Sequence, residues 1–454
     1  MAELTPAEQL LLELVNRARL DPDGEAARYG IRVNADLPAG TLAGGARQPL
    51  APNALLADAA RNHSNWMITY DIFSHFGAGN SLPGDRMKAA GYIFSGTWNW
   101  GENVAWSGTT GAAGLEAFTL QLHRDLFLSP SHRFTLLNGE FRELGTGIAS
   151  GKFTSGGTTY NAVMGDESFA LSGPDAFITG VAIHDFDGDN FYDIGEAHAG
   201  VAVTVSQAGS VVDTGSTASA GGYAVAFAGG MVDVTFSGGG LAKDITVTVE
   251  AGNQNAKIDL VNSQTIMSSA SATLGAGANH LVLLGAANIN GTGNDQANMI
   301  YGNAGANVIQ GLGGHDVLLG GDGNDVLLGG EGNDILFGGC GTDVLTGGAG
   351  QDRFDFNSKL EAGRTCGTCD HITDFTSGYD VINLSAIDAR AHRGGNQAFH
   401  WIGKKDFHDK AGELHFKKTG WGATISGDLN GDGKADFYIH LDYLSHINRA
   451  DIIL

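Results

Sequence analysis

The feature that most constrains this chain is a beat of nine residues in its C-terminal third. Asp316, Asp325, Asp334, Asp343 and Asp352 recur at that spacing. The pairs Gly320-Gly321, Gly329-Gly330, Gly338-Gly339 and Gly347-Gly348 keep the same phase, as do the apolar Leu318, Leu327, Leu336, Leu345 and Phe354. A period this short, with one apolar residue per repeat, points to a parallel β-roll in which every turn stacks on its neighbours. The glycines permit the positive φ of a tight turn. The carboxylates fall on one line and repel unless a cation lies among them. Oxygen-only donors of this kind suit Ca²⁺, so folding and metal binding become a single equilibrium. Upstream, Asn298 and Asn307 hold the Asp position without charge and read as an opening cap. A metal-free glycine-rich linker is the alternative, and the strict phasing of Gly-Gly with Asp weighs against it.

Composition supports a cation partner. The chain has 454 residues, enough for about three domains. It carries 50 acidic against 26 basic residues, a net charge of -24. Phosphates repel such a chain, which excludes nucleic acid as a partner. No apolar run is long enough to span a membrane. The opening MAELTPAEQLLLELVNRARL reads as an amphipathic helix with early acidic residues and lacks the features of an N-terminal signal peptide. The three cysteines cannot make a disulfide framework. Cys366 and Cys369 form a CxxC, read as a local disulfide or idle thiols, and Cys340 stands alone.

Two further loops have calcium-ligand spacing. In DFDGDNFYDIGE, Asp185, Asp187, Asp189, Asp193 and Glu196 occupy positions 1, 3, 5, 9 and 12, and Phe191 offers its carbonyl at 7. Asn190 replaces the usual glycine at position 6 and tolerates the left-handed conformation. The flanks FITGVAI and AGVAVTV are strand-like. Alternating runs at 221–228, 231–236, 244–249 and 256–260 then predict a small β-sandwich. The second loop has Asp428, Asn430, Asp432 and Asp436 at 1, 3, 5 and 9, but Ile439 at 12. A weaker site or a plain turn between strands both remain open there.

Residues 1–170 differ in character. Apolar periodicity predicts helices over roughly 6–19, 53–68 and 112–128, the first with Leu10, Leu11, Leu14 and Val15 on its inner face. His63 falls in phase with core positions and reads as a satisfied half-buried histidine. His123 reads similarly, with Arg124 or Asp125 beside it. Arg133 reads as an anchor for the turn after Pro130, and the tryptophans as core. The segment ELGTGIAS to TTYNAVMGDESFA alternates like two paired strands.

The nonapeptides over roughly 268–454 strongly resemble the RTX calcium-binding repeat proteins. The resemblance implies several bound Ca²⁺ and export by type I secretion machinery from a Gram-negative bacterium, with the closing Asp451-Ile452-Ile453-Leu454 similar to an uncleaved secretion signal. The middle region resembles the calcium-binding B-type repeats of bacterial adhesins. The ordered landmarks LLELVNRARLDP, ARNHSNWM, FSHFG, GENVAW, SPSHR and ELGTG closely resemble the bacterial branch of the CAP superfamily (cysteine-rich secretory proteins, antigen 5 and pathogenesis-related proteins). That family has an α-β-α sandwich with a cleft lined by two His and two acidic residues. The matching positions are His75, Glu102 and His132. The fourth, acidic position has no counterpart: Leu128 or Ser129 falls there, with Glu116 and Asp125 out of register.

The sequence thus predicts a multidomain chain: an α+β domain (an α-β-α sandwich by resemblance) over 1–170, a small β-sandwich over 171–262, an all-β parallel roll over 263–356, and a β-rich C-terminal cap over 357–454. Three functions compete. The first is a secreted, extracellular calcium-binding protein whose cleft holds a small-molecule, lipid, peptide or glycan ligand. The second is a metal-dependent hydrolase with Zn²⁺ on His75, Glu102 and His132. The third is a structural or adhesive surface protein. Neither HExxH nor GxSxG occurs, and the missing acidic residue places the non-enzymatic readings first.

Overall fold

The computed structural model describes residues 3–112, 114–363, 365, 367–390 and 393–454. These fall into two compact units, Met1–Ala270 and Ser271–Leu454.

The first unit opens with α1 (Pro6–Leu20), whose N-terminus is closed by a capping box between Thr5 and Glu8. It is followed by α2 (Pro22–Arg28), α3 (Ala54–Tyr70), α4 (Pro83–Ala89), α5 (Leu115–Leu128) and α6 (Pro130–Leu136). The three short helices start at Pro22, Pro83 and Pro130, where the fixed φ suits a first turn. Four strands, β1 (Ala51–Pro52), β2 (Trp98–Thr109), β3 (Glu143–Ser155) and β4 (Thr158–Ser172), form one sheet in the order β1-β3-β4-β2. Only the β1–β3 pair is parallel. The ELGTG segment explains how α3 lies against this sheet: a Cβ on Gly145 would strike the backbone of Leu56 and Ala57, and one on Gly147 that of Ala60 and Arg61.

The same unit continues into two facing sheets. One orders β7 (Ser210–Ser216), β6 (Val201–Gln207), β9 (Gly230–Gly238) and β10 (Ile245–Gly252). The other orders β8 (Gly222–Phe227), β5 (Ala176–Ile183) and β11 (Ala256–Val261). Alternating Val201, Val203, Val205, Val232, Val234 and Phe236 are buried, as the period-two pattern requires. Helix α1 departs from the expectation of one buried face. Its polar Glu8, Gln9, Glu13, Asn16 and Arg19 are buried too: Glu8 meets Arg61, Asn16 the Leu50 backbone and Arg19 the carbonyls of Gln48 and Leu136, while Glu13 meets Lys257 of the sandwich. Lys257 of β11 meets Glu13 at 2.9 Å and also contacts Asp259.

In the second unit the strands of the nine-residue repeats pair in parallel with the strand two repeats on, Val308 with Val326 and Val317 with Ile335, whereas Glu413–Lys418, Gly422–Asp428 and Phe437–Asp442 near the C-terminus pair antiparallel. Two sheets result. Ile300, Ile309, Leu318, Leu327, Leu336, Leu345 and Phe354 stack between them at 0% exposure. The roll continues through Asp370–Ile372 and Phe437–Asp442 on one side, and through Val381–Asn383 and Ile452–Ile453 on the other.

Candidate functional site: a carboxylate ladder and a histidine cleft

The roll sets the five repeat aspartates into a ladder. Oδ1 of Asp316, Asp325, Asp334, Asp343 and Asp352 accepts the backbone N–H eighteen residues earlier, at 2.7–2.9 Å. Asp370 and Asp380 carry the ladder on, accepting from the N–H of Asp343 and Asp352 at 2.8 and 3.0 Å. Sequence spacing missed these two because the loop after Asp352 interrupts the Gly-Gly and Asp pattern: Asp370 keeps the nine-residue phase but lies beyond Glu361, and Asp380 is one residue out of phase. The signal was the repeat-like Asp-x-Ile triplet at 370–372 and 380–382.

The other oxygen of each rung shows what the ladder lacks. Oδ2 of Asp316, Asp325, Asp334, Asp343 and Asp370 is buried without a hydrogen-bond partner. A buried carboxylate oxygen left in this state is costly. Burial pushes Asp316, Asp343 and Asp352 up to about 6, Asp325 to about 7 and Asp370 to about 8. Oxygen donors also converge on the repeat glycines: a Cβ on Gly320 or Gly329 would collide with Oδ2 of Asp325 or Asp334 and with the carbonyl of Gly338 or Gly347. Unsatisfied, converging oxygens of this type fit Ca²⁺. Asn298 and Asn307 need no cation, because their amides bond the carbonyls of Asn279 and Ile289 at 3.2 and 2.6 Å.

The loop 185–196 also gathers its carboxylates. Asp185, Asp187 and Glu196 form one convergent group and Asp187, Asp189 and Asp193 another, with ligand atoms within 4.8 Å of each other. Asn190 takes φ 58°, the left-handed turn expected of it. Phe191 lies at position 7 and its ring receives the Arg17 guanidinium at 4.9 Å. Like the first, the second loop ties its carboxylates to its own backbone. Asp428 accepts from the N–H of Gly431 and Gly433 at 2.6 and 2.9 Å, Asp432 from Lys434 at 2.9 Å, and Asp436 from the Asn430 amide at 3.2 Å. Among the described residues, no three of its carboxylates converge. Of the CxxC, Cys366 lies outside the described residues, Cys369 is buried, and Cys340 is exposed.

In the α+β layer the structure brings His75, Glu102 and His132 to one cleft. Glu102, on β2, receives His75 Nδ1 at 2.8 Å. The His75 and His132 rings stand 6.4 Å apart between centroids. Asn103 fixes the backbone of His132, donating to its carbonyl at 3.1 Å, and reaches Glu167 at 3.0 Å. So the GEN segment works as a unit: its Glu enters the cleft and its Asn anchors α6.

Three further groups complete the cleft. Arg86 of α4 donates to Glu102, to the Ser81 carbonyl at 2.8 Å and to the His75 carbonyl at 3.1 Å. His63 of α3 is fully buried rather than half-buried, bonded through Nδ1 to Asp166 at 2.8 Å, with Nε2 unpartnered. Asp166 of β4 supplies a second buried carboxylate, from outside the helix where the family position was sought. His63, Glu102 and Asp166 form a convergent group. Burial and the nearby Asp166 charge push Glu102 up to about 7 against His75 and Arg86, and burial raises Asp166 to about 6. Burial and Arg86 push His63 down to about 4, whereas the Glu102 hydrogen bond raises His75. A cavity of about 300 Å³ adjoins, lined by Ala59, Asn62, His63, Trp66, Ser81 and Arg86. Ile72, Phe73 and Phe76, which neighbour His75 in sequence, are exposed. Other single-residue expectations shift: His123 pairs with Glu25 at 2.9 Å rather than with its chain neighbours, and Trp98 is half-exposed rather than core.

The profile of the cysteine-rich secretory protein family matches residues 12–164, and that of the RTX calcium-binding nonapeptide repeat matches 292–327 and 319–354. Residues 12–164 are a CAP domain, and residues 292–354 are RTX repeats. Among solved structures, the chain is similar to an extracellular protein containing a SCP domain from Bacillus anthracis str. Ames, with 24% identity and a TM-score of 0.22. That match covers 37% of this chain and 44% of the Bacillus protein, less than half of its length. It is also similar to the AlgE6R3 and AlgE6R2 subunits of the Azotobacter vinelandii mannuronan C5-epimerase. These show 24% and 22% identity, cover 35% of this chain and 78% and 88% of theirs, and have TM-scores of 0.19. No curated protein matches. The chain is a multidomain protein with calcium-binding RTX repeats and a CAP domain. Among the described residues, no helix is long and apolar enough to cross a membrane.

Proposed function

We propose that this chain is a secreted, extracellular protein that calcium assembles and whose CAP cleft binds a ligand without turning it over. The observation that carries the cleft reading is Arg86. Its guanidinium meets Glu102 within the His63–Glu102–Asp166 group, and so supplies the positive charge that a catalytic metal would otherwise bring. His75 has one ring nitrogen committed to Glu102, and His75 and His132 flank the opening. The exposed apolar Ile72, Phe73 and Phe76 next to His75 in sequence favour an amphiphile, with its polar head at His75 and His132, over a glycan.

The RTX ladder and the 185–196 loop take Ca²⁺, through Asp316, Asp325, Asp334, Asp343, Asp352, Asp370 and Asp380 in the first and Asp185, Asp187, Asp189, Phe191, Asp193 and Glu196 in the second. The loop at Asp428, Asn430, Asp432 and Asp436, where no three described carboxylates converge, is the weaker site. Export by type I machinery in an unfolded, calcium-poor state fits a roll whose carboxylates repel without the ion.

A screen of fatty acids, lysophospholipids and short oligosaccharides by thermal shift on the calcium-loaded chain tests the cleft. Binding of an amphiphile that His75→Ala/His132→Ala abolishes is expected. Tight zinc lost in that same variant, together with hydrolytic activity, would replace this reading with the metal-dependent hydrolase.

A further inference from the structure

Away from the cleft and the ladder, one cluster of ligand-type side chains stands on the outer face of the last strands of the roll. His371 lies on strand Asp370–Ile372, and His440 and Asp442 lie on strand Phe437–Asp442. The strands pair in parallel, with His371 directly opposite His440. Phe437, Ile439 and Leu441 are fully buried, so the alternation of the strand turns His440 and Asp442 to the other face together. The two imidazoles stand 4.8 Å apart between ring centroids, inclined by 46°. Asp442 Oδ1 lies 3.3 Å from His371 Nδ1 and 3.1 Å from His440 Nε2.

Those separations suit a shared ion. A tetrahedral zinc with bonds of 2.0–2.1 Å holds its ligand atoms about 3.3 Å apart. All three ligand atoms here lie within 4.8 Å of one another. The donor set also differs in kind from the ladder, because two imidazoles and one carboxylate suit a borderline transition metal, whereas oxygen-only sites suit calcium. The His371 and Asp442 side chains are 38% and 26% exposed, which leaves an approach from solvent. We propose that His371, His440 and Asp442 form a transition-metal site of the zinc class, with its fourth position open to solvent. The ion would clip two strands that come from distant parts of the chain.

The competing account is a hydrogen-bonded His–Asp–His network with Asp442 accepting twice. The full chain, refolded in excess Ca²⁺ and freed of transition metal on a chelating resin equilibrated with Ca²⁺, distinguishes them. Zn²⁺ affinity is read by competition with a chromophoric chelator, and coordination by the visible bands of Co²⁺. The expected result is one Zn²⁺ per chain that His75→Ala/His132→Ala retains, that His371→Ala weakens at least tenfold, and that Asp442→Asn weakens as well. Calcium-induced circular dichroism monitors folding of each variant. If His371→Ala fails to fold, Asp442→Asn, which keeps the side-chain shape, decides. Zinc binding unchanged in Asp442→Asn, or no zinc on the folded wild type at micromolar concentration, overturns the proposal in favour of the hydrogen-bonded network.

Discussion

At the residue scale, two buried carboxylates of the first unit show how a partner makes burial tolerable. Arg86 serves Glu102 directly and lies close to Asp166, both buried. Breaking a buried pair costs about 3–5 kcal/mol, because the abandoned charge remains. Arg86→Ala is therefore expected to destabilise the CAP domain by about 3 kcal/mol in chemical denaturation, and an unchanged midpoint would contradict the role assigned to it. Glu25 is the second case. Burial pushes its carboxyl up, but hydrogen bonds from His123 and from Arg17 at 2.9 and 2.8 Å outweigh that and bring it down to about 2. A carboxylate lowered on folding stabilises above its ordinary value near 4.5 and loses that contribution as pH falls toward 2. The gap corresponds to about 3 kcal/mol at neutral pH. Stability of wild type measured from pH 7 to pH 2 should fall through that window more steeply than that of Glu25→Gln.

Residue by residue, the cleft was half legible. His75, Glu102 and His132 stood in motifs. His63 and Asp166 did not. On α3, His63 shares its phase with Ala59, Ala60 and Met67, and periodicity marks burial without saying whether a buried imidazole faces core or cleft. Asp166 sits in β4 among residues buried on both faces, so no alternation singled it out.

At the scale of elements, the three long helices and the sandwich strands were readable, because each rests on local periodicity, whereas α2, α4, α6 and β2 were not read. What could not be read was which elements cover which. Helix α1 looked amphipathic, yet it is buried nearly all round, and its polar face is explained only by partners distant in sequence: Arg61 for Glu8, Leu50 for Asn16, Gln48 for Arg19 and Lys257 for Glu13. Lys257→Met leaves Glu13 and Asp259 facing each other without a cation, and should cost about 3 kcal/mol or more by urea unfolding. A variant that also replaces Glu13 and Asp259 with Gln and Asn should recover much of the loss. The contact of α3 with its sheet is a second test. Gly147→Ala puts a methyl into the Arg61 backbone, and should cost about 1–3 kcal/mol as overpacking. In the roll, each rung supports its neighbours, so Asp334→Asn should raise the calcium concentration at the folding midpoint on the order of tenfold. A midpoint that does not move would remove Asp334 from the ligand set.

At the scale of the molecule, the chain divides its stability between two sources. The first unit has apolar clusters around Leu12, Phe127 and Phe169 and around Met67 and Met164. The roll has one stacked column of apolar residues and a line of unsatisfied carboxylate oxygens, and needs an ion. The nine-residue period made the roll legible at once, because each repeat states its turn, its ligand and its core residue. The continuation through Asp370 and Asp380 was less so, because the intervening loop is set by packing rather than by period.

The most direct measurement is hydrogen exchange of the full chain read by mass spectrometry, with and without calcium. The account predicts that segments over 299–383 are protected in Ca²⁺ and exchange within seconds in chelator, while α3 and β4 of the CAP domain stay protected in both. Protection of 299–383 in chelator would contradict it, because the ladder would then stand without its cation.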